Sequence, residues 1–256
     1  CKTVLANEQV KNGRCERCDS EVVQRKLNQW QFKITEYADR LIDDLDGLNW
    51  PEPIKTAQRN GIGRSEGAKI NFKIENSNEQ IEVFTTRPDT LFGVTYLVLA
   101  PEHELVAKLS SQIKNPDEVS AYVTQTSKKT EMDRQTDSKN KTGVRLEGVT
   151  AINPANGESV PIFIADYVLA GYGTGAIMAV PAHDERDYEF AEKFGLPIRQ
   201  VIDGELNGKA NAGKGILINS GEFNGISSDD AIKKITDRVG GKLSKNYRLR
   251  DWLISR

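Results

Sequence analysis

Apolar residues recur along this chain with two different periods. From about Ala68 the period is two. Ile70, Phe72 and Ile74 alternate with polar residues, and Ile81 and Val83 resume the alternation after Asn76-Ser77-Asn78. Such spacing predicts half-buried strands joined by a turn. Tyr96-Leu97-Val98-Leu99-Ala100 is apolar without a break, as in a strand buried on both faces. Further strand signals lie at Val144 to Leu146, Val149 to Ile152 and Val160 to Ala165, with Asn156-Gly157 as a hairpin turn. Gly171 to Gly175 leads into another at Ala176 to Val180. Helical spacing joins Phe32, Ile34, Tyr37, Leu41, Ile42 and Leu45, ended by Pro51 and Pro53. Other predicted helices run from Glu104 to Leu109, from His183 to Phe194 with Gly195 as the stop, and from Ala231 to Val239 behind Ser227-Ser228-Asp229-Asp230. Asn60 to Ser65 reads as a linker, Gly204 to Gly215 as a loop, and Thr124 to Thr142 as a solvated helix or mobile loop. Many short strands with few helices predict an α+β fold with a barrel-like mixed β core.

Composition adds boundaries. Of the 256 residues, 28% are charged and 38% hydrophobic, which suits a soluble protein with a sizeable core. A net charge of −2 offers no chain-wide basic field, so any nucleic-acid contact must be local. No apolar run approaches the roughly 20 residues of a membrane helix, and no signal peptide is visible. The chain starts without Met and reads as a piece of a longer cytoplasmic protein. All three cysteines, Cys1, Cys15 and Cys18, fall within the first eighteen residues. Disulfide frameworks distribute their cysteines, so the pattern argues against a secreted scaffold. Cys15-x-x-Cys18 with Cys1 has zinc spacing, but a structural site needs four ligands. A structural zinc and a metal-free knuckle stay evenly matched.

Two segments carry candidate chemistry. Thr85-Thr86-Arg87-Pro88-Asp89-Thr90 packs three hydroxyls, a guanidinium and a carboxylate into six residues. By itself it reads first as a turn, with Pro88 setting φ and Asp89 capping the next helix. The alternative is a hydroxyl cluster that positions water or a ribose. In the second segment Gly171, Gly173 and Gly175 allow close backbone approach to a ligand. His183 and Asp187 stand four apart and could pair on a metal. Without a third ligand, a helix N-terminus with acidic residues is the better reading. His103, the other histidine, is expected at the surface.

Taken together the segments are specific. The chain resembles bacterial-type leucyl-tRNA synthetases over essentially its whole length. The resemblance rests on Thr3 to Val10, Ile62 to Gly67, Thr85 to Thr90, Gly173 to Asp187, Asn219 to Gly225 and Asn246 to Trp252. It implies the family's connective insertion, with residues 1–65 as Cys knuckle, helix and entry linker, 66–240 as the editing domain and 241–256 as a return linker. The family's HIGH and KMSKS motifs for ATP chemistry are absent from these residues. Asn7 to Val10 and Asn246 to Trp252 favour the leucyl member over the sister valyl and isoleucyl domains.

The resemblance implies hydrolysis of the ester on mischarged tRNA(Leu) carrying isoleucine, methionine or norvaline, without a cofactor. It makes Asp187 the partner of the substrate ammonium. Thr85 and Thr86 become contacts that order the attacking water. Thr90 becomes the wall that excludes leucine. Met178, Val180, Leu169, Tyr172, His183 and Asp184 would line the pocket and adenosine site, and Arg87 takes a structural or adenosine-side role. The tRNA(Leu) 3′ end and the remaining domains of the parent synthetase are the implied partners of a monomer away from membranes. The physics agrees, because a pocket separates apolar side chains by only ~1–3 kcal/mol per methylene and a second sieve is needed. A competing reading is a zinc-knuckle RNA-binding module built on the cysteines with Arg14, Arg17, Arg25 and Lys26.

Overall fold

The computed structural model describes residues 1–256 except Lys2, Ala6, 24–27, 130–132, 135–140, Tyr172, Asn207 and 255–256, and gives only the backbone of Asn7. Arg25, Lys26 and Tyr172 therefore lie outside the described residues. Contacts divide the chain into two compact units, 1–64 with 247–256, and 65–246. Among the described residues no helix is long and apolar enough to cross a membrane.

In the first unit β1 (Val10–Lys11) and β2 (Arg14–Cys15) form a hairpin. Asn12 and Gly13 take positive φ between them, as a two-residue hairpin turn requires. After β3 (Gln31–Phe32), the expected long helix is broken into 3₁₀ turns at Ile34–Tyr37 and Asp44–Gly47 around a short α1 (Ala38–Asp43). Pro51 and Pro53 do not end it. They begin α2 (Glu52–Ile62), because a first-turn N–H has no helical partner to lose. Asn60 and Gly61, expected in a linker, belong to that helix, and Gly63 at φ 60° stops it.

The second unit is built on one mixed sheet. Its strands are β4 (Ser65–Ile74), β5 (Gln80–Thr85), β6 (Tyr96–Leu99), β7 (Val144–Ile152), β8 (Ser159–Ile164), β9 (Ala176–Ala179) and β10 (Lys242–Asn246). They run in the order β10-β4-β7-β8-β6-β9, with β5 paired to β4 beside that path. The α+β class is as expected. The sheet is open, with no pair joining β10 to β9 among the described residues, so the core is not a closed barrel. The period-two residues face inward as their spacing requires. Ile70 lies opposite Val83 and Phe72 opposite Ile81, all fully buried. Two expected strands are a single β7, bent between Arg145 and Thr150, where Gly148 sits at φ 82°.

Helices α3 (Glu104–Lys108) and α4 (Pro116–Thr126) fill the crossover that lets β6 pair parallel with β8. α4 enters the segment expected to be a solvated helix or loop. It buries Val119, Tyr122 and Thr126. After β9 come α5 (Glu185–Phe194) and α6 (Ser228–Arg238), capped by the Asp184 carboxylate and the Ser227 hydroxyl. The last strand, β11 (Trp252–Leu253), pairs with β3 in the first unit.

Strands β6, β8 and β9 separate two hydrophobic clusters. Leu97, Leu99, Ile162, Ile164 and Met178 face the main core. Tyr96, Val98, Phe163 and Ala179 face a smaller one, which α5 covers with Phe190 and Ala191. Tyr96 stacks on Phe190 with centroids 5.3 Å apart, while Phe163 meets Phe190 edge-on at 5.4 Å. This two-sided burial explains the unbroken apolar run of β6.

Candidate functional site

β5 ends at Thr85, and the chain turns through Thr86 and Arg87 into a 3₁₀ turn, Pro88–Gly93. The Thr85 hydroxyl accepts the Arg87 N–H at 3.0 Å, leaving its own proton to donate. Thr86 is exposed. Thr90 is 1% exposed, and its hydroxyl donates to the Arg87 carbonyl at 2.9 Å. Its polar group is thus held by the turn, and its methyl supplies bulk. Asp89 does not cap a helix as the sequence suggests. Its buried carboxylate is gripped by Arg87, with Nε to Oδ1 at 3.0 Å and Nη2 to Oδ2 at 2.8 Å. The remaining reach of Arg87 goes to the backbone carbonyls of Ala212 and Gly213, at 3.0 and 3.2 Å.

The close fit of the turn against β4 depends on Gly67. A Cβ there would stand 2.1 Å from the Thr85 carbonyl oxygen, so no other residue allows this approach.

Asp187 lies in the first turn of α5 and is 6% exposed. Its Oδ2 accepts the Val180 N–H at 2.8 Å, and its own carbonyl accepts the Tyr96 hydroxyl at 3.0 Å. Burial, with the neighbouring Asp184 carboxylate second, pushes its acid strength down to a pKa of about 7. The Val180 N–H, Arg186 and Lys141 act in the other direction. Asp184 serves as the cap, accepting the Arg186 and Asp187 N–H groups at 2.9 and 3.2 Å. Val180 and Met178 are buried in the main core, the same cluster as Leu91 of the turn. Leu169 is half-buried in the segment between β8 and β9.

His183 lies before α5, not on a shared helical face with Asp187. Its Nε2 accepts the Val201 and Ile202 N–H groups at 2.9 and 3.2 Å, so Nδ1 carries the proton and donates to the Asn211 carbonyl at 2.8 Å. With both nitrogens engaged, no metal pair with Asp187 forms. Burial holds the His183 pKa below its usual value. His103, expected at the surface, is half-buried. Its Nδ1 accepts the Leu105 N–H at 3.2 Å as the cap of α3.

Sequence reasoning did not single out Tyr96 or the 211–213 backbone. The first was read as a core residue, and carbonyl acceptors have no signature beyond the Gly- and Asn-rich stretch around them.

In the first unit Cys1, Cys15 and Cys18 bring their sulfurs within 4.8 Å of one another, the one such cluster of potential ligands found among the described residues. The Cys1 and Cys15 sulfurs are 4.0 Å apart, near the ~3.8 Å that tetrahedral zinc with ~2.3 Å bonds would require. Hydrogen bonds from Ser20 bring the Cys18 thiol down to a pKa of about 6 and favour the thiolate a metal needs. Three sulfurs fit such a site, and the described residues supply no fourth ligand.

Comparison with known proteins places this geometry. A family model described as the editing domain of leucyl-tRNA synthetase matches residues 59–240. A leucine–tRNA ligase of Clostridium perfringens (strain 13) is 52% identical over the whole chain, and one of Clostridium beijerinckii is 54% identical. The chain spans about a third of these relatives, 32% of their length. A solved LeuRS–tRNA–LeuAMS ternary complex from Agrobacterium radiobacter K84 matches with a TM-score of 0.73 and 35% identity, covering 97% of this chain and 29% of that one. The chain therefore belongs to the leucyl-tRNA synthetase family and carries its editing domain.

Proposed function

We propose that the second unit hydrolyses the aminoacyl ester of mischarged tRNA(Leu). The observation that carries this reading is Asp187. One carboxylate oxygen is fixed by the Val180 N–H in a nearly buried site on a helix start, within the family's matched region. A carboxylate held this way suits a substrate ammonium, whose charge restores the ionised form that burial disfavours. The Thr85 hydroxyl, which keeps a proton to donate, and the exposed Thr86 supply groups to orient a water. Thr90 places a methyl where a leucine side chain must be refused. Met178, Val180 and Leu169 complete the apolar lining. Asp184 and His183 shape the site through its backbone.

The test is deacylation of Ile-tRNA(Leu) and Leu-tRNA(Leu) by wild type, Asp187→Ala and Thr90→Ala. Asp187→Ala should abolish clearance of the isoleucyl ester. Thr90→Ala should begin to hydrolyse the leucyl ester at least ~10-fold faster than wild type, the discrimination one small group supplies. If Thr90→Ala still spares Leu-tRNA(Leu) while clearing Ile-tRNA(Leu), the steric role is wrong.

The tRNA 3′ end and the rest of a longer synthetase are the proposed partners. The exposed Trp30, Phe32, Trp252 and Ile254 of the first unit support the second of these. The cysteine cluster supports a structural zinc with no part in the chemistry.

A further inference from the structure

We infer that Arg87 and His183 are positioning residues that clamp the Asn211–Gly213 backbone across both arms of the editing site, and thereby hold the threonine turn at a fixed spacing from Asp187. The inference rests on the deacylase reading above. Three consecutive residues take four polar bonds from the two arms. Arg87, in the threonine turn, donates to the carbonyls of Ala212 and Gly213. From the other arm, His183 donates to the Asn211 carbonyl, and the Ala182 carbonyl accepts the Asn211 N–H at 2.8 Å. The Asn211 side chain then closes on the Gly213 N–H at 3.1 Å, which stiffens the segment between its two holders.

These contacts engage most of the donors. Arg87 spends its fork on Asp89 and two carbonyls, and His183 accepts from Val201 and Ile202 with the nitrogen that faces them. His183 has no ring nitrogen left over for the ester, and Arg87 has all but one N–H of Nη1 engaged. Both act through the backbone they hold. A hydrolytic site needs its water-ordering group and its substrate anchor at one separation, and a displacement of ~1 Å can cost ~100-fold in rate.

The segment reports its own release, because Lys209 and Lys214 are exposed trypsin sites on either side of the clamp. The experiment compares full-length wild type, Arg87→Lys and His183→Gln. Cleavage after Lys209 and Lys214 is followed by mass spectrometry, thermal unfolding checks the fold, and Ile-tRNA(Leu) deacylation gives kcat and KM. Arg87→Lys keeps the charge and loses the fork, so it tests geometry. Both variants should be cut at least ~10-fold faster at these two sites, and kcat should fall ~10- to 100-fold with little change in KM. If Arg87→Lys fails to fold, His183→Gln tests the other clasp. Faster cleavage with kcat intact would overturn the inference, as would a raised KM with cleavage unchanged, which would make Arg87 a substrate contact. A wild type that clears no mischarged tRNA would overturn the deacylase reading itself, and with it the functional half of the inference.

Discussion

Asp187 offers a prediction in which stability and function move in opposite directions. Its carboxyl is nearly buried, and its pKa rises from 3.8 to about 7. Between those values the folded chain holds a proton that the unfolded chain has released. Stability therefore falls as pH rises through that window and stays low above it. At 1.36 kcal/mol per pH unit, the ionised carboxylate costs up to about 4 kcal/mol at pH 8. Asparagine has the same shape and can still accept the Val180 N–H, but carries no charge. Asp187→Asn should therefore stabilise the protein at pH 8 by about 2–4 kcal/mol, allowing for local relaxation. For a unit of this size that is a rise of roughly 4–16 °C in melting temperature. At pH 4, where the native carboxyl is already protonated, the gain should nearly vanish. The assay is thermal unfolding of both proteins at the two pH values, with deacylation measured on the same samples. Asp187→Asn should lose clearance of Ile-tRNA(Leu) while gaining stability. A variant that melts no higher than wild type at pH 8, or gains equally at pH 4, would refute the argument that burial of an unpaired charge sets this site.

Three further outcomes follow from the geometry. Gly67→Ala should lower stability by about 3 kcal/mol, because its Cβ would collide with the Thr85 carbonyl and force β4 from the turn; unchanged melting would show that the contact relaxes freely. His183 is held neutral below its usual pKa, so the unfolded chain protonates first and stability is lost as pH falls from about 6.5 toward the lower folded value. Of its charged neighbours, Arg87 deepens that depression and Asp89 opposes it. The acid limb of the melting profile should flatten in His183→Gln, and an identical limb would remove His183 as its source. Cys15→Ser should eliminate bound zinc in elemental analysis, and a strong chelator should leave deacylation unchanged; loss of activity with the metal would tie the knuckle to the chemistry.

What was legible in the sequence follows from how local each cause is. The β4–β5 hairpin was legible because Ile70, Phe72, Ile81 and Val83 alternate for a reason internal to a strand. α2 is hidden in the sequence because prolines inside a first turn look the same, residue by residue, as prolines that end a helix. The threonine turn and the Gly173–Asp187 segment stood out by residue type. Their internal division of labour did not. Asp89 reads as a cap because Asp beside Pro often is one. Its partner is Arg87, two residues away, whose fork is oriented by carbonyls 125 and 126 positions downstream. A backbone carbonyl belongs to every residue, so no sequence pattern marks the ones a guanidinium will choose. His183 reads as the first residue of a helix for the same reason, since the partners that hold it before α5 are two N–H groups and a carbonyl.

The same geometry explains why the site needs a tether. The threonine turn is rooted in the main core through Leu91 and Val94, whereas α5 is rooted in the smaller cluster through Phe190 and Ala191. Strands β6 and β9 form the wall between them. The Val180 N–H ties Asp187 to the end of that wall, and the Tyr96 hydroxyl ties the Asp187 carbonyl to the face of β6 that α5 covers. Two clusters packed independently can shift by fractions of an ångström when either is repacked, because interiors transmit strain rather than absorb it. Asp187 is thus registered to the sheet, and the 211–213 backbone adds a second link between the turn and the Asp187 arm. Repacking the smaller cluster, as in Phe190→Leu, should then disturb kcat for the isoleucyl ester more in Arg87→Lys than in wild type. Additive losses in the double variant would mean that the sheet alone sets the spacing.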